Sequence, residues 1–239
     1  MPSSRLTVAT WLVFIALIAA IDLTRADEKD KGPKVSLVVL SESGVIRDLS
    51  FENGGTVEKL SVYSRGFAPP VKYRGPQHLV FFRPIDPALG FDKDREIVGQ
   101  VDLPANAESV MLLFKTTGNS EKEAYEIFAF DNDLRRFPAG GYRIFNTTRE
   151  PVICWLAKNR FELAPKDHHI ATADGDENGN VTLRIYRQEK GELTRIYSSV
   201  WQVKDTRRTT VFLTPSGTRV QEISVSKFVE PIVPEREAN

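Results

Sequence analysis

The sequence predicts an all-β protein made of two tandem antiparallel Ig-like β-sandwich domains that follow an N-terminal signal peptide. Three observations support this fold class. Apolar and polar residues alternate with a period close to two along most of the chain, which is typical of half-buried strands. Gly- and Pro-rich turns separate short strand-like runs about every 8–12 residues. No stretch has the spacing of a long amphipathic helix.

The N-terminus has the features of a signal peptide. An apolar run of 14 residues, Val8–Ile21, ends at Asp22. The run is shorter than the roughly 20 residues of a membrane-spanning helix, and Thr24 and Ala26 place small residues at the −3 and −1 positions of a cleavage site. We expect cleavage after residue 26 and a periplasmic or extracellular protein with no membrane span in the mature chain. An uncleaved N-terminal anchor is the alternative.

Strand-like runs rich in β-branched and aromatic residues follow in two series. The first series consists of Lys34–Leu40, Thr56–Tyr63, His78–Arg83, Glu96–Leu103, Ser109–Thr116 and Ala124–Phe130. The second consists of Gly141–Asn146, Pro151–Leu156, Asn159–Leu163, His168–Ala173, Val181–Arg187, Leu193–Val203, Arg208–Leu213 and Arg219–Phe228.

The two series resemble each other, which predicts a duplication. The first domain is expected over residues 34–131 and the second over residues 137–230, with a junction near Asp131–Phe137 and a frayed tail at 231–239. One large sandwich with insertions is the alternative. The similar pairs are Ser64–Pro69 with Asn159–Pro165, His78–Arg83 with Val181–Arg187, Val110–Phe114 with Thr209–Leu213, and Tyr125–Phe130 with Val220–Phe228.

Composition excludes several classes of protein. Hydrophobic residues make up 41% and charged residues 27% of the chain, which is enough apolar material for a core and argues against disorder. Basic and acidic residues balance at 32 each, so no general basic surface for nucleic acid is expected. A single cysteine, Cys154, excludes an internal disulfide. Because it lies in the apolar run Val152–Leu156, it is predicted to be a core residue rather than a nucleophile.

The sequence contains none of the common catalytic motifs that carry a nucleophile, a metal pair or a phosphate loop. His168 and His169 are adjacent on a predicted strand, so they point to opposite faces and are unsuited to sharing one metal. Asp86, Asp92 and Asp94 lie in one loop. Pairs of carboxylates catalyse glycoside hydrolysis, so these residues are the candidates for a hydrolase site. A solvated loop is the simpler interpretation of these three residues.

Two tryptophans raise the question of carbohydrate stacking. Trp155 lies in a continuous apolar run, and Trp201 shares a strand face with Tyr197 and Val203. Aromatic residues in such runs usually belong to the core. We therefore predict that both are core side chains.

One loop carries a pattern of specific chemistry. Asp174, Asp176 and Asn178 place oxygen atoms at alternate positions, and a backbone carbonyl from Asn180 would complete the first half of a calcium loop. The twelfth position is Ile185, where a bidentate Glu is required, and strands rather than helices flank the loop. A weak calcium site and a plain hairpin loop with two Gly turns both remain open.

Four segments resemble a group of uncharacterised exported bacterial β-sandwich proteins. The resemblance extends over most of the mature chain and implies the same fold and export, but it implies no catalytic residue, cofactor or ligand. The segments are Tyr73–Pro76, Phe82–Pro84, Phe137–Asn146 and Tyr197–Trp201.

Three classes of function follow from these patterns. The first is a non-catalytic scaffold or interaction module with a protein partner in the cell envelope. The second is a module that binds carbohydrate or another ligand, a possibility based on fold analogy alone. The third, a hydrolase of unrecognised type, has the least support. A solvent-exposed aromatic platform would favour the second class.

Overall fold

A computed structural model describes residues 32, 34–84, 95–117, 125–216 and 223–232, and all regular structure in these ranges is β-strand. The first eight strands are β1 (Lys34–Ser41), β2 (Ile46–Asn53), β3 (Thr56–Val62), β4 (Val71–Arg74), β5 (His78–Pro84), β6 (Arg95–Asp102), β7 (Ser109–Thr116) and β8 (Tyr125–Asp131). The other eight are β9 (Tyr142–Asn146), β10 (Val152–Leu156), β11 (Asn159–Leu163), β12 (His168–Ala171), β13 (Asn180–Glu189), β14 (Glu192–Gln202), β15 (Arg207–Pro215) and β16 (Ile223–Pro231).

The strands form four sheets of four, and the second half repeats the strand order of the first. Sheet A has the order β4-β1-β7-β8 and sheet B the order β3-β2-β5-β6. Sheet C has the order β12-β9-β15-β16 and sheet D the order β11-β10-β13-β14. Each strand of sheet C is therefore equivalent to the strand of sheet A whose number is lower by eight, and sheet D corresponds to sheet B in the same way. The predicted all-β fold with two sandwiches is confirmed, and the matching order supports a duplication.

Each half contains a parallel pair of strands. Strand β1 runs parallel to β7, and β9 runs parallel to β15. A parallel pair requires a long crossover connection, which the intervening strands supply in both halves. The four-plus-four arrangement also has one strand more than a constant-type immunoglobulin domain.

The first compact unit contains the described residues up to Ser61 together with Pro70–Phe130. Aromatic contacts join its two sheets: the ring centroids of Phe81 on sheet B and Phe114 on sheet A are 5.0 Å apart. Phe51 and Tyr73, also on opposite sheets, are 6.3 Å apart. These rings form the centre of the first core.

The second unit contains Val62–Pro69 and the described residues from Asp131 onward. One buried cluster takes side chains from both of its sheets. The alternating strands β9, β10, β13 and β15 supply most of them: Tyr142, Ile144, Val152, Cys154, Leu156, Val181, Leu183, Ile185, Val211 and Leu213. The prediction that Cys154 is a core residue is confirmed.

The segment between the two strand series is fastened to the second unit. Phe137 is fully buried, and the guanidinium groups of Arg143 and Arg208 lie 4.5 and 5.0 Å from its ring centroid. Arg208 donates to both carboxylate oxygens of Glu230 at 2.8 Å and to the carbonyls of Asn132 and Phe137 at 2.7 and 2.9 Å. We call these five residues the linker clasp.

Burial shifts the pKa of one arginine in the linker clasp. It lowers the pKa of Arg143 to about 10, and the charge of Arg208 lowers that pKa further, whereas Glu230 and Asp131 oppose the shift. Arg143 is therefore still charged at neutral pH, and it donates to the Asp131 carbonyl. Next to the Arg208–Glu230 pair, Ile232 donates to the Thr206 carbonyl at 2.8 Å.

Several expectations lie outside the described residues. They are the signal peptide at 1–26, the carboxylates Asp86, Asp92 and Asp94, and the tail beyond residue 232. The domain boundaries at 34–131 and 137–230 remain predictions. In the described part of the chain, no helix has the length and apolar character needed to cross a membrane.

Candidate binding face on sheet D

Alternation along two neighbouring strands places an aromatic pair on the outward face of sheet D. On β10, Cys154 points into the core cluster, so Trp155 points the other way. On β13, Ile185 belongs to the core, and Arg184 and Tyr186 therefore point outward with Trp155. Trp155, Arg184 and Tyr186 are all half-buried rather than buried.

The neighbouring edge strands add two further arginines to this face. Register places Arg160 of β11 and Arg184 of β13 directly on either side of Trp155. Arg195 of β14 is the register partner of Tyr186. Side chains at directly opposite positions have Cβ atoms roughly 5 Å apart. Each ring thus has an arginine beside it.

A β-bulge in β14 produces this arrangement. Ile185 pairs with Tyr197, whereas Tyr186 pairs with Arg195, so Ile196 is an extra residue. Without the extra residue, the two ends of β14 would present opposite faces. The bulge keeps Arg195 and Val200 on the outward face, and Val200 is 63% exposed.

We call the outward group Ile153, Trp155, Arg160, Arg184, Tyr186 and Arg195 the Trp155 face. The rings of Trp155 and Tyr186 lie 5.7 Å apart at 52°. None of the three arginines forms an ion pair with a carboxylate of the described residues. The face therefore combines aromatic surface with three arginines that form no ion pair within the described residues, and Glu162, the register partner of Ile153, lies at its end.

The Nε1 atom of Trp155 is buried and has no hydrogen-bond partner in the described part of the chain, and the same holds for Nε1 of the core residue Trp201. A buried donor without an acceptor costs about 1–3 kcal/mol. The half-buried ring of Trp155, and not its nitrogen, is therefore what this face offers to a ligand.

A pocket of about 440 Å³ lies at one end of the Trp155 face, and Ile153 belongs to both. Arg187 lines this pocket and is 5% exposed. Its Nε lies 2.7 Å from a carboxylate oxygen of Glu150, although the angle does not suit a hydrogen bond, so the contact is an ion pair. Glu162 and Glu189 also line the pocket, which makes this end of the face acidic.

The prediction that both tryptophans are core residues is half right. Trp201 is 4% exposed and stacks on Tyr142, with centroids 5.6 Å apart. The prediction is wrong for Trp155. In the run Val152–Leu156 apolar residues occupy both faces of the strand, so periodicity did not show which residues point outward. Only the pairing of the strands in the structure shows that Arg160 and Arg184 lie beside Trp155.

The Asp174–Asn180 loop connects β12 to β13, and its main interactions are internal. Oδ1 of Asp176 accepts the backbone amides of Asn178 and Asn180 at 2.9 and 2.8 Å, and the Asp176 amide donates to the Asn180 carbonyl at 2.8 Å. This is the geometry of an Asx turn. Asp174, Asp176 and Asn178 are exposed. The calcium site remains a prediction.

The remaining titratable candidates lie apart from one another. Cys154 is fully buried, and burial raises its pKa to about 12. His168 stacks on Phe145 and His169 stacks on Phe161, as expected for neighbours on opposite faces. The exposed His78 lies 2.8 Å from Asp102. Among the described residues, no three His, Cys, Asp or Glu side chains are grouped so that they could hold a metal ion.

Comparisons with known proteins find distant structural similarity. No family model and no curated protein matches the chain. One similar solved structure is that of a putative cell adhesion protein from Bacteroides eggerthii, with a TM-score of 0.25 and 8% identity. The match covers 84% of this chain and 97% of the other. At this TM-score the similarity supports no inference about function.

Proposed function

We propose that the chain is a non-catalytic exported binding protein and that its second sandwich holds a ligand on the Trp155 face. The observation that carries this proposal is the pairing of Trp155 and Tyr186 with three arginines that have no carboxylate partner among the described residues. Rings and guanidinium groups on the outward face of a sheet hold ligands well, since aromatic rings supply contact area at a low entropic cost. A guanidinium holds its charge at neutral pH, so it binds an anion but does not transfer a proton.

Export is part of this proposal, and it depends on the signal peptide predicted for residues 1–26. A chain cleaved after Ala26 starts at Asp27. The intact mass of the protein recovered from its native source measures this directly. A product that retains Met1 and fractionates with membranes would contradict export as a soluble protein.

The binding role is tested by capture from the native envelope or extracellular fraction. The immobilised wild-type chain is compared with a Trp155→Ala, Arg184→Ala variant, and all retained material is identified, whether protein or glycan. We expect retention of a component by the wild type and its loss in the variant. Equal retention by both chains, or none by either, would contradict the proposal.

A second candidate function is that of a scaffold with a protein partner in the envelope, and strand β14 favours it. This strand of eleven residues is an edge strand of sheet D. Leu193 and Val200 on it are 44% and 63% exposed. An exposed edge can add a strand from a partner. A protein whose capture is lost in Leu193→Lys, Val200→Lys but kept in the Trp155 variant would identify this role.

A further inference from the structure

We propose that the Trp155 face binds an acidic polysaccharide, a chain of sugar rings that bear carboxylate or sulfate groups. This inference rests on the proposed function and names its ligand class. It is carried by the order of groups across the sheet, which runs Arg160, Trp155 and Arg184 on three adjacent strands.

Charge complementarity selects an anionic ligand. The three guanidinium groups have no carboxylate partner in the described ranges, and the guanidinium fork matches the geometry of a carboxylate or sulfate group. Arg160 and Arg184 lie two strands apart, which corresponds to roughly 10 Å at the usual interstrand spacing. A polymer with repeated anionic groups can contact both arginines and the rings between them at once.

The aromatic pair favours a ligand that has sugar rings between its anionic groups. The C–H face of a pyranose ring is apolar, and it can pack against the faces of Trp155 and Tyr186, which lie between and beside the arginines. Tryptophan and tyrosine serve such amphipathic contacts because each joins a large apolar body to a polar tip.

Two other macromolecules fit the face less well. A peptide that adds as a strand needs free backbone groups, but β10 and β13 at the centre of sheet D are paired on both sides. Nucleic acid binding depends on many phosphate contacts, whereas this chain has 32 basic and 32 acidic residues. Both nevertheless enter the test as competing ligands.

The test is titration of the full chain with five polymers, with binding measured by calorimetry at low salt. Polygalacturonate carries carboxylates, dextran sulfate carries sulfates, and neutral dextran is the matched control for the latter. Poly-L-glutamate and oligothymidylate represent acidic peptide and nucleic acid. We expect saturable binding of at least one acidic polysaccharide, no binding of dextran, and weaker binding as salt is added.

Variants assign the binding to the face. Trp155→Ala and Arg184→Ala should each weaken binding at least roughly tenfold, and Trp155→Phe should keep most of it because a ring remains. The exposed residues Tyr63 and Arg65 provide matched controls, since Tyr63→Ala and Arg65→Ala should leave binding unchanged. Arg160→Ala, at an exposed edge position, replaces any variant whose thermal melting shows that it does not fold.

Each contrary outcome has a distinct meaning. Tighter binding of poly-L-glutamate or oligothymidylate that depends on Trp155 would overturn the glycan inference and leave the proposed binding role intact. If neutral dextran bound as tightly as dextran sulfate, the inference that the polysaccharide must be acidic would be overturned. Binding unaffected by Trp155→Ala and Arg160→Ala, or no binding of either acidic polysaccharide, would overturn the inference, and capture from the native fraction would then decide the proposed function separately.

Discussion

Replacing Glu230 by Gln tests how the chain between the two strand series is held. Glu230 accepts two hydrogen bonds from Arg208, and the two side chains are only 17% and 4% exposed. Glu230→Gln keeps the shape but leaves a buried guanidinium without its counter-charge. Removal of one partner from a buried pair costs about 3–5 kcal/mol. Because Gln retains one acceptor for Arg208, we expect a loss near the lower limit, about 3 kcal/mol.

Urea unfolding followed by tryptophan fluorescence measures this loss. Trp155 and Trp201 both lie in the second unit, so in the mature chain their emission reports that unit. With a slope of about 1–3 kcal/mol per molar urea, the midpoint should fall by about 1–3 M. The matched control in the same unit is Arg136→Gln, since the Arg136–Asp131 pair is 77% and 34% exposed and should contribute below about 1 kcal/mol. Equal, small losses in both variants would refute the reasoning.

Three further predictions concern single groups. Cys154 should not react with a thiol reagent at pH 8 in the native protein, because burial raises its pKa to about 12; rapid labelling without unfolding would contradict its placement. Burial and the charge of Arg143 lower the pKa of His168 below its usual 6.5. The unfolded chain therefore binds that proton more tightly, so stability is complete above about pH 6.5 and decreases as the pH falls towards the folded-state value. Melting temperatures between pH 5 and 8 should show this decrease, and His168→Phe should reduce it. Because Asp176 already accepts two backbone amides, several millimolar calcium should not change the melting temperature, whereas a rise that is lost in Asp176→Ala would identify a calcium site.

Much of the fold was predictable because its strands alternate strongly. All eight strands of the second half were predicted, but two of the first half were missed. In β2 the alternation breaks at Asp48, which has a φ of 60°, so two exposed residues separate the buried Ile46 and Leu49. Strand β4 has four residues between Pro70 and Gly75, which is too short for a periodic signal.

The internal repeat was visible at three of its four proposed positions. The similar runs His78–Arg83 and Val181–Arg187 are the equivalent strands β5 and β13. Strands β7 and β15, and β8 and β16, match in the same way. The fourth pairing was wrong, because Asn159–Leu163 is β11, whose equivalent is β3, whereas Ser64–Pro69 follows β3.

The candidate site was not predictable from local sequence. Arg160, Arg184 and Arg195 are far apart in the chain, and the face that each occupies depends on strand register. The bulge at Ile196 shifts that register by one residue, and a shift of one residue moves side chains to the other face of a sheet. Only the paired strands show that Trp155 and three arginines share a surface.

The central claim is that sheet D carries a solvent-facing, positively charged aromatic face, and ionic quenching of fluorescence tests it most directly. In the mature chain, Trp201→Phe leaves Trp155 as the emitting tryptophan, and Trp155→Phe leaves the buried Trp201. When each ion is scaled to its quenching of free N-acetyltryptophanamide, iodide should quench Trp155 more strongly than caesium does, because three arginines attract the anion, and neither ion should quench Trp201 appreciably. Equal quenching of Trp155 by both ions, or protection of Trp155 as complete as that of Trp201, would contradict the claim.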